Sequence, residues 1–441
     1  MLISSDKNPA KEEGIEQFYN GNFAQAIAKF RQSLQVNKND PEILIYLNNA
    51  IAQKKSDTNI GQKVEIAVSV PISQESDISQ EILRGVAQAQ SEFNCGLPEI
   101  SLAIKNPENK LNCSGSFNGK FLKVTIADDE YLPETAEKIA QALIAKEEII
   151  AVIGHSSSDM TLQAGEIYNK AELVVISPTS TSILLKNLGK FVLRVAPNDS
   201  LAAQALFNYL ERQNWADKKI AVAYVPGNSY SQSLAKEFNK LLPEKFVYKC
   251  NISSGNFSAS DCVKEAQNRG AKIMLLVPAT DRTLSNVIGI INNAKGLKLL
   301  GGDSVYNPRV LKDAGQQADR GNLTLAIPWH RHPNSQFSQT AQKFWNAEIN
   351  WRTTTSYDAT QTIIKAVDEM IGNYSRKQLQ SILSSHDFYL EGVTGKIRFG
   401  ELGDRQFLEK DKPVLVQVKP NAKSGKYEFV ILEEGSEGVG E

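Results

Sequence analysis

A chain of 441 residues with 49 basic and 50 acidic side chains carries a net charge of −1, which gives no support for nucleic-acid binding, because that function needs a basic surface. The composition, 41% hydrophobic and 22% charged, is that of a globular protein, and the length is enough for two to three domains of roughly 100–200 residues each. No apolar run approaches the ~20 residues that a membrane-spanning helix requires. The polar stretch 1–10 lacks the apolar region of a signal peptide, so the chain is either cytosolic or a mature or trimmed form.

Residues 1–53 are predicted to form a helical segment, because apolar side chains recur there at helical spacing. Asp40 followed by Pro41 is typical of a helix start, with the aspartate as N-cap. Small and aromatic residues at Gly14, Phe23 and Phe30 resemble a tetratricopeptide repeat, as do Gly21 and Ala26. Lys38 departs from that pattern, which usually has proline there. A plain helical hairpin is the alternative, and a single repeat must pack on something else or belong to a longer array.

Residues 54–62 are polar and are predicted to be a linker. Beyond them, short apolar strands alternate with amphipathic helices, which favours parallel sheets covered on both faces and two doubly wound α/β domains. The predicted strands are 66–70, 122–127, 149–154, 173–177, 220–225, 246–251, 273–278 and 297–302. The predicted helices include 134–146, 200–212, 231–242 and 283–294. Segments 396–399, 414–418 and 427–431 are predicted to be additional strands.

The four cysteines fall into two local pairs, Cys95 with Cys113 and Cys250 with Cys262. Two disulfides formed in an oxidising compartment fit this arrangement, and four unrelated buried thiols are the alternative. No CxxC motif occurs and no histidine lies at a ligand spacing near a cysteine, so no metal site is predicted. No cofactor is predicted either.

Three polar loops follow apolar strands, where ligands bind in open α/β sheets. The first, 154–159, precedes a helix and combines serine hydroxyls with free backbone N–H groups, which favours a carboxylate; a serine-rich N-cap without a ligand is the alternative. The second, 177–182, offers hydroxyls and carbonyls. The third contains Asp303 behind two glycines, where a carboxylate can pair with a cationic group; a turn-capping aspartate is the alternative. An anion-binding loop and an acid together would suit a zwitterion.

These loops carry a resemblance to a known family. In order and spacing, several segments together resemble the leucine/isoleucine/valine-binding protein family, which are type I periplasmic binding proteins of ABC importers. The segments are 68–73 (VSVPIS) with Gly85, 152–158 (VIGHSSS), 167–168 (IY), 175–181 (VISPTST), 351–359 (WRTTTSYDA), and 392–399 (GVTGKIRF) with Gly403 and Asp404. The resemblance covers about residues 63–433.

The resemblance implies a ligand-binding role for one set of residues. It implies that Ser158 and the backbone of Ser156 hold the α-carboxylate of an amino acid, and that Thr179 and Thr181, with Ser180 between them, hold both ends of the ligand. It implies that Asp303 pairs with the α-ammonium group and that Tyr230 closes from the second lobe. Thr280 and Glu75 lie at or near positions that are commonly aromatic in the family, which argues against a purely branched-chain ligand.

The resemblance also implies the domain boundaries and the mechanism. Lobe 1 is expected to comprise residues 63–191 and 328–385, and lobe 2 residues 192–327 and 386–433. Two such lobes are expected to close on a ligand, and a partner reads the shift between open and closed states.

Two functional interpretations stay open. The chain is expected to be an extracytoplasmic solute-binding protein that delivers a small amino acid or related carboxylate to a membrane permease, with any membrane anchor outside this sequence. The alternative is a sensor that signals through its helical N-terminus, which would then contact a protein partner. An enzyme is not expected, because GxSxG, Walker A, HExxH and GxGxxG motifs are absent. His155 is interpreted as a structural histidine, since the sequence places no acid to orient it.

Overall fold

The computed structural model describes residues 8–116, 119–332, 334–370, 372, 374–408 and 412–432. The chain divides into two compact units. Unit 1 contains the described residues within Met1–Ser180, Leu185–Ala196 and Arg331–Leu408, and unit 2 those within Thr181–Leu184, Pro197–His330 and Glu409–Glu441. No helix of the described ranges is both long enough and apolar enough to cross a membrane.

Helices and strands alternate along most of the chain. In chain order the helices are α1 (Pro9–Tyr19), α2 (Phe23–Val36), α3 (Pro41–Asp57), α4 (Ser76–Asn94), α5 (Leu97–Lys105), α6 (Pro133–Ile144), α7 (Ser158–Lys170), α8 (Asp199–Arg212), α9 (Ser229–Leu241), α10 (Ala259–Asn268), α11 (Asp281–Asn293), α12 (Pro308–Arg320), α13 (Gln336–Trp345), α14 (Trp351–Glu369) and α15 (Arg376–Leu383). The strands are β1 (Gln62–Val70), β2 (Lys120–Asp128), β3 (Ile149–Ile153), β4 (Val174–Ser177), β5 (Val192–Arg194), β6 (Ile220–Tyr224), β7 (Phe246–Asn251), β8 (Ile273–Val277), β9 (Lys298–Gly301), β10 (Thr324–Ile327), β11 (Leu390–Gly392), β12 (Gly395–Ile397), β13 (Val414–Pro420) and β14 (Tyr427–Ile431). Two short 3₁₀ helices lie at Ile183–Asn187 and Asp303–Val305.

Each unit is built on one large sheet. The sheet of unit 1 has five strands in the order β2-β1-β3-β4-β5, all parallel. The sheet of unit 2 has seven strands in the order β14-β13-β10-β9-β8-β6-β7. Its five strands from β10 to β7 are parallel, and β13 and β14 pair antiparallel at the other edge. The expectation of two α/β domains with parallel sheets, extended by added strands near the C-terminus, is confirmed.

The N-terminal helices have a seam of small and aromatic residues. Asp40 caps α3 through a hydrogen bond from the backbone N–H of Ile43, as predicted. The ring of Phe18 packs edge-on against Phe23, and a Cβ on Gly14 would lie 2.6 Å from the ring of Phe30. Glycine is therefore required where α1 crosses α2. The tetratricopeptide character of the segment stays a prediction.

Helix α3 packs on unit 1 and covers part of the edge strand β2. The side-chain amide of Asn49 donates to the carbonyl of Val124 and accepts from its N–H, at 2.7 and 2.8 Å. Asn94 of α4 makes the same pair of bonds to Leu122, at 2.9 and 2.7 Å. These two asparagines satisfy backbone groups that an edge strand would otherwise leave open. The helical segment is thus part of the structure of unit 1.

A second contact ties the helical segment to unit 1 at α2. The guanidinium group of Arg31 is buried and donates to the carbonyls of Ala103, Asn106 and Asn109, at 2.8 to 3.0 Å. These carbonyls lie at the end of α5 and just after it, where backbone acceptors lack intrahelical partners. Burial lowers the pKa of Arg31, and the nearby Glu108 and Glu99 oppose that effect.

Helices α4 and α14 approach closely in unit 1. A Cβ on Gly85 of α4 would lie 2.3 Å from the carbonyl oxygen of Thr353 and 2.6 Å from the backbone nitrogen of Tyr357. Further along the same contact, the Tyr357 hydroxyl donates to Glu92 at 2.5 Å. Glycine at position 85 therefore sets the distance between the two helices.

A buried polar cluster fixes the β11–β12 hairpin to α14. The carboxylate of Asp358 accepts from the backbone N–H groups of Val393 and Thr394, and from the Thr394 hydroxyl at 2.6 Å. Arg405 donates to the hydroxyl and carbonyl of Thr394. Arg194 at the end of β5 makes two bonds to Asp404, at 2.8 and 2.9 Å.

The boundaries of the two units differ from the expected ones. The segment 54–62, expected to be a linker, contains the last residues of α3 and the first of β1. Residues 192–196 and 386–408, expected in lobe 2, belong to unit 1, and residues 181–184 and 328–330, expected in lobe 1, belong to unit 2. The physical reasons are the parallel pairing of β5 with β4 and the Asp358 and Arg405 bonds that hold the hairpin.

Candidate functional site

The candidate residues of unit 1 lie at the carboxyl edge of its sheet. Because all five strands run parallel, the loops that follow β1, β2, β3 and β4 leave the sheet at this one edge. These loops are residues 71–75, 129–132, 154–157 and 178–182. The serine-rich and threonine-rich loops follow β3 and β4, which are neighbours in the sheet.

A buried histidine and aspartate lie beneath the serine-rich loop. The Nδ1 atom of His155 is 2.6 Å from Asp129 Oδ2 and 3.2 Å from the hydroxyl of Ser69. On its other side, Nε2 is 3.4 Å from the hydroxyl of Tyr168. Sequence reasoning found no acid near His155, yet the structure places Asp129 there. With partners on both ring nitrogens and no exposed surface, His155 is a structural residue, as interpreted.

The backbone around His155 is shaped by a glycine. Gly154 has φ +146°, and a Cβ there would lie 2.8 Å from the carbonyl oxygen of Ser69. The His155 carbonyl then accepts from the hydroxyl of Ser177 at 3.0 Å. The loop after β3 is therefore held to β1 and β4 on both sides.

The serines of the loop have different partners. The Ser157 hydroxyl caps α7 by accepting from the N–H of Met160. The carbonyl of Ser156 accepts from the Thr179 hydroxyl at 2.7 Å. The Ser156 hydroxyl is buried, and no described group lies in hydrogen-bonding position to it. Ser158 is the first residue of α7 and is buried. The alternative prediction for this loop was a serine N-cap. Ser157 has that capping role, and it lies between Ser156 and Ser158, the two serines of the expected ligand site.

Thr179, Ser180 and Thr181 are all buried in the loop after β4. The Ser180 hydroxyl lies 2.8 Å from that of Thr161 on α7, so its contacts are structural. The Thr181 carbonyl accepts from the N–H of Asp199 at 2.8 Å. The Thr179 hydroxyl bonds to Ser156, as stated above. This loop is therefore fastened to α7 and to the loop after β3.

Glu75 and Tyr131 complete the unit 1 edge. Glu75 is buried, with 8% of its surface exposed, and directly precedes α4. Tyr131 follows β2 with φ +54° and makes a hydrogen bond with the side chain of Ser157. Burial raises the pKa of the Tyr131 phenol, and the nearby Asp159, Glu75 and Asp129 raise it further. Tyr131 was missed in the sequence, where only its place after a strand could have indicated it.

In unit 2, Tyr230 and Asp303 lie near each other beyond the carboxyl ends of β6 and β9. The Tyr230 hydroxyl is 3.0 Å from that of Ser304. Burial raises the pKa of Tyr230, and the charges of Asp303 and Asp199 add to this effect. A Cβ on Gly302 would lie 2.5 Å from the Tyr230 oxygen, so the glycine makes room for the phenol.

Thr280 has a capping role in unit 2. Its side chain accepts from the N–H of Thr283, and the Thr283 hydroxyl accepts from the N–H of Thr280, which forms a capping box at the start of α11. It lies at the carboxyl end of β8, the strand between β6 and β9 in the sheet.

Both predicted cysteine pairs are confirmed as disulfides, Cys95–Cys113 in unit 1 and Cys250–Cys262 in unit 2. The alternative of unrelated thiols is wrong. Within the described ranges, no group of three or more His, Cys, Asp and Glu side chains is arranged to hold a metal ion.

The two α/β units, with polar loops at the carboxyl ends of parallel strands, define the fold of a type I periplasmic binding protein. Solved structures of this class have the same fold. The ABC transporter substrate-binding protein from Desulfitobacterium hafniense in complex with Leu is 24% identical, with a TM-score of 0.63 over 84% of this chain and 100% of that chain. The branched-chain amino acid transporter substrate binding protein from Streptococcus pneumoniae in complex with isoleucine is 17% identical, with a TM-score of 0.66 and the same coverage.

The family model described as periplasmic binding protein matches residues 103–423, so the chain belongs to the periplasmic binding protein family. Among curated relatives, the Leu/Ile/Val-binding protein homolog 1 of Brucella melitensis is 25% identical over 339 residues, which cover 73% of this chain and 85% of that protein. The amino acid binding protein of Pseudomonas aeruginosa is 26% identical over 215 residues, which cover 47% of this chain and 57% of that protein. The chain is a solute-binding protein.

Proposed function

We propose that this protein binds a small amino acid or a related carboxylate outside the cytoplasm and delivers it to an ABC-type membrane permease, without acting as an enzyme. The names of the relatives from Pseudomonas and Brucella support an amino acid as the ligand. The two disulfides support an oxidising compartment.

The observation that carries the proposal is the buried hydroxyl of Ser156 just before α7. No described group bonds to it, and buried polar groups normally have partners. It lies beside the N-terminus of α7, where backbone N–H groups and the helix dipole favour an anion. A ligand carboxylate would accept from this hydroxyl and from the N–H groups near Ser158.

Unit 2 supplies the complementary charge in this proposal. Asp303 would pair with the α-ammonium group, because a charge-assisted hydrogen bond in a dry site is strong. Tyr230, held by Ser304, would pack against the ligand. Thr179 of unit 1 and Thr181 of unit 2 would contact the ligand through the groups that their loop bonds leave available, and Ser180 would hold the loop. Thr280 and Glu75 would form parts of the wall around the ligand side chain.

The test is a thermal-shift screen of the twenty amino acids, with related oxo acids and amides, on the intact chain and on Asp303→Ala. A ligand at 100 times its Kd should add about 2.7 kcal/mol to the free energy of unfolding. The matched control is Asp313→Ala, an exposed aspartate on α12 of the same unit. The proposal expects a shift that Asp303→Ala abolishes and Asp313→Ala keeps. No shift with any compound would contradict it.

A further inference from the structure

A cavity of about 810 Å³ lies in unit 1 between α3, α4, α5 and α13. Its volume is within the range of roughly 300–1,000 Å³ that is usual for ligand pockets. None of the described residues that line it belongs to the loops proposed to hold the amino acid. The cavity is therefore separate from the candidate amino-acid site.

The helical segment forms one side of this cavity. Lys38 lies in the turn between α2 and α3, and Leu44 lies on α3. Both precede residues 103–423, which match the family model. The cavity thus depends on a part of the chain that the family match does not include.

Helix α5, which forms another side of the cavity, is fixed at both ends. The disulfide Cys95–Cys113 holds the chain just before its first turn. At its other end, Arg31 donates to three backbone carbonyls at and after the last turn. The protein itself therefore holds this wall in place, which lowers the cost of ordering it when a ligand binds.

Part of the lining is apolar. Leu44 and Ile104 are buried, and Leu97 and Phe344 are half-buried. Apolar surface that borders an open cavity contacts water until a ligand covers it, and covering it is favourable. The lining therefore favours a ligand with a hydrocarbon part.

Three lysines give the lining its positive charge. Lys38, Lys105 and Lys343 are exposed, and no carboxylate of the described residues pairs with their ammonium groups. An ammonium group forms strong charge-assisted hydrogen bonds with a carboxylate. These side chains therefore favour an anionic group on the ligand.

Glu92 is the acid in this lining, and donors within the protein already satisfy it. The hydroxyl of Tyr357 donates to its carboxylate at 2.5 Å, and the amides of Gln361 and Gln88 donate at 3.0 and 3.2 Å. Burial raises the pKa of Glu92, which lowers its negative charge at a given pH. Glu92 therefore does not require a cationic ligand.

We propose that this cavity is a second ligand-binding site, which takes an amphipathic anion with a hydrocarbon chain and one carboxylate, such as a medium-chain fatty acid. The chain would cover Leu44, Ile104 and Phe344, and the carboxylate would accept hydrogen bonds from the lysines. The inference does not rest on the proposed function, because the two sites share no residue.

The test is calorimetric titration of the full chain with octanoate, 1-octanol and octylammonium, which have the same hydrocarbon chain and differ in charge. Wild type should bind octanoate at least about 10-fold more tightly than either of the other two. Lys105→Glu and Lys343→Glu should each weaken octanoate binding by about 10-fold or more, because a repulsive charge replaces an attractive one. The matched control is Lys138→Glu, which makes the same change at an exposed position on α6 of unit 1 and should stay within about 2-fold of wild type.

A further substitution locates the bound octanoate. Ser101 is exposed and lines the cavity from α5, so Ser101→Trp should fill the space and abolish octanoate binding while the protein stays folded. Undiminished binding to Ser101→Trp would place octanoate elsewhere and overturn the inference. It is also overturned if wild type does not bind octanoate, or if 1-octanol binds as tightly, because the lysines would then not select the ligand.

Discussion

Asp129 Oδ2 and His155 Nδ1 lie 2.6 Å apart, and neither side chain has exposed surface. The hydroxyl of Ser69 bonds to both of them, at 3.3 and 3.2 Å. The pair therefore joins β1 to the loops after β2 and β3, directly beneath the serines that precede α7. Its geometry sets the position of the Ser156 hydroxyl and of the α7 N-terminus.

Removing the acid of this pair should be costly. We expect Asp129→Ala to lower the free energy of unfolding by about 1–3 kcal/mol, because it removes the carboxylate that bonds to the buried ring of His155. Chemical denaturation measures the change. Asp217→Ala, which removes an exposed carboxylate paired with Lys218, should change the stability by less than about 0.5 kcal/mol. Similar effects of the two substitutions would show that the buried pair does not stabilise the loops.

Gly302 should be intolerant of a methyl group. A Cβ there would lie 2.5 Å from the Tyr230 oxygen and 2.6 Å from a methyl carbon of Leu234. We expect Gly302→Ala to destabilise the protein by about 1–3 kcal/mol through overpacking and to weaken amino-acid binding by moving Tyr230. Thermal unfolding and titration measure the two effects. The control is Gly255→Ala, where a Cβ meets no atom within 4 Å. Wild-type stability of Gly302→Ala would contradict this account of the packing.

Gly85 of α4 and Gly289 of α11 both have helical backbone conformation, but the space for an added methyl group differs between them. Alanine favours a helix over glycine by about 1 kcal/mol at either position. Gly85→Ala should nevertheless destabilise by about 3 kcal/mol or more, because its Cβ would lie 2.3 Å from the backbone of α14. Gly289→Ala should be near neutral, since its closest contact is 3.1 Å, to Ala259. Denaturation of both variants tests the prediction, and equal changes would rule out close packing of α4 on α14 as the reason for glycine.

Glu92 should give a pH-dependent contribution to stability. Burial raises its pKa, and hydrogen bonds from Tyr357, Gln88 and Gln361 oppose the rise without cancelling it. The folded state therefore binds this proton more tightly than the unfolded state, so the Glu92 contribution is most favourable below the ordinary glutamate pKa of about 4.3 and declines as pH rises through the raised folded pKa.

Glu92→Gln removes that titration. The free energy of unfolding of wild type minus that of Glu92→Gln should fall as pH rises from about 4 through the raised pKa, and then level off. Urea denaturation across this range measures the difference. Glu166→Gln, an exposed position that pairs with Lys170 on α7, should run parallel to wild type. A difference that rises with pH would contradict the assigned direction of the pKa.

Most strands could be predicted because each is rich in apolar and β-branched residues and lies between polar loops. The predicted strand at 246–251 coincides with β7, and 427–431 with β14. Strands β5, β10 and β11 were missed, since they have three or four residues and are too short to show a period. The pairing of β5 with β4 depends on tertiary contacts, which explains why the boundary of unit 1 differs from the one expected at residue 192.

The candidate site was predictable only in part. The rule that ligands bind beyond the carboxyl ends of parallel strands selected the loops around Ser156, Thr179 and Asp303. The rule could not identify Asp129 or Tyr131. Both residues follow β2, and the sequence does not show that the end of β2 lies close to the loop after β3. The capping roles of Ser157 and Thr280 likewise depend on where each helix begins.

The asparagines that bond to strand β2 have a consequence for how this chain can be divided. Homology alone would suggest cutting before β1 and discarding the helices. Such a cut removes Asn49 and uncovers the N–H and carbonyl of Val124, together with the apolar surface on which α3 rests. The shortened protein would present an open strand to other copies of itself, and unpaired strands of this kind recruit new strands. In this protein the family resemblance begins near β1, whereas the folding unit begins earlier, with the helices that pack on β2. A protein cut at the first of these two boundaries is therefore expected to self-associate.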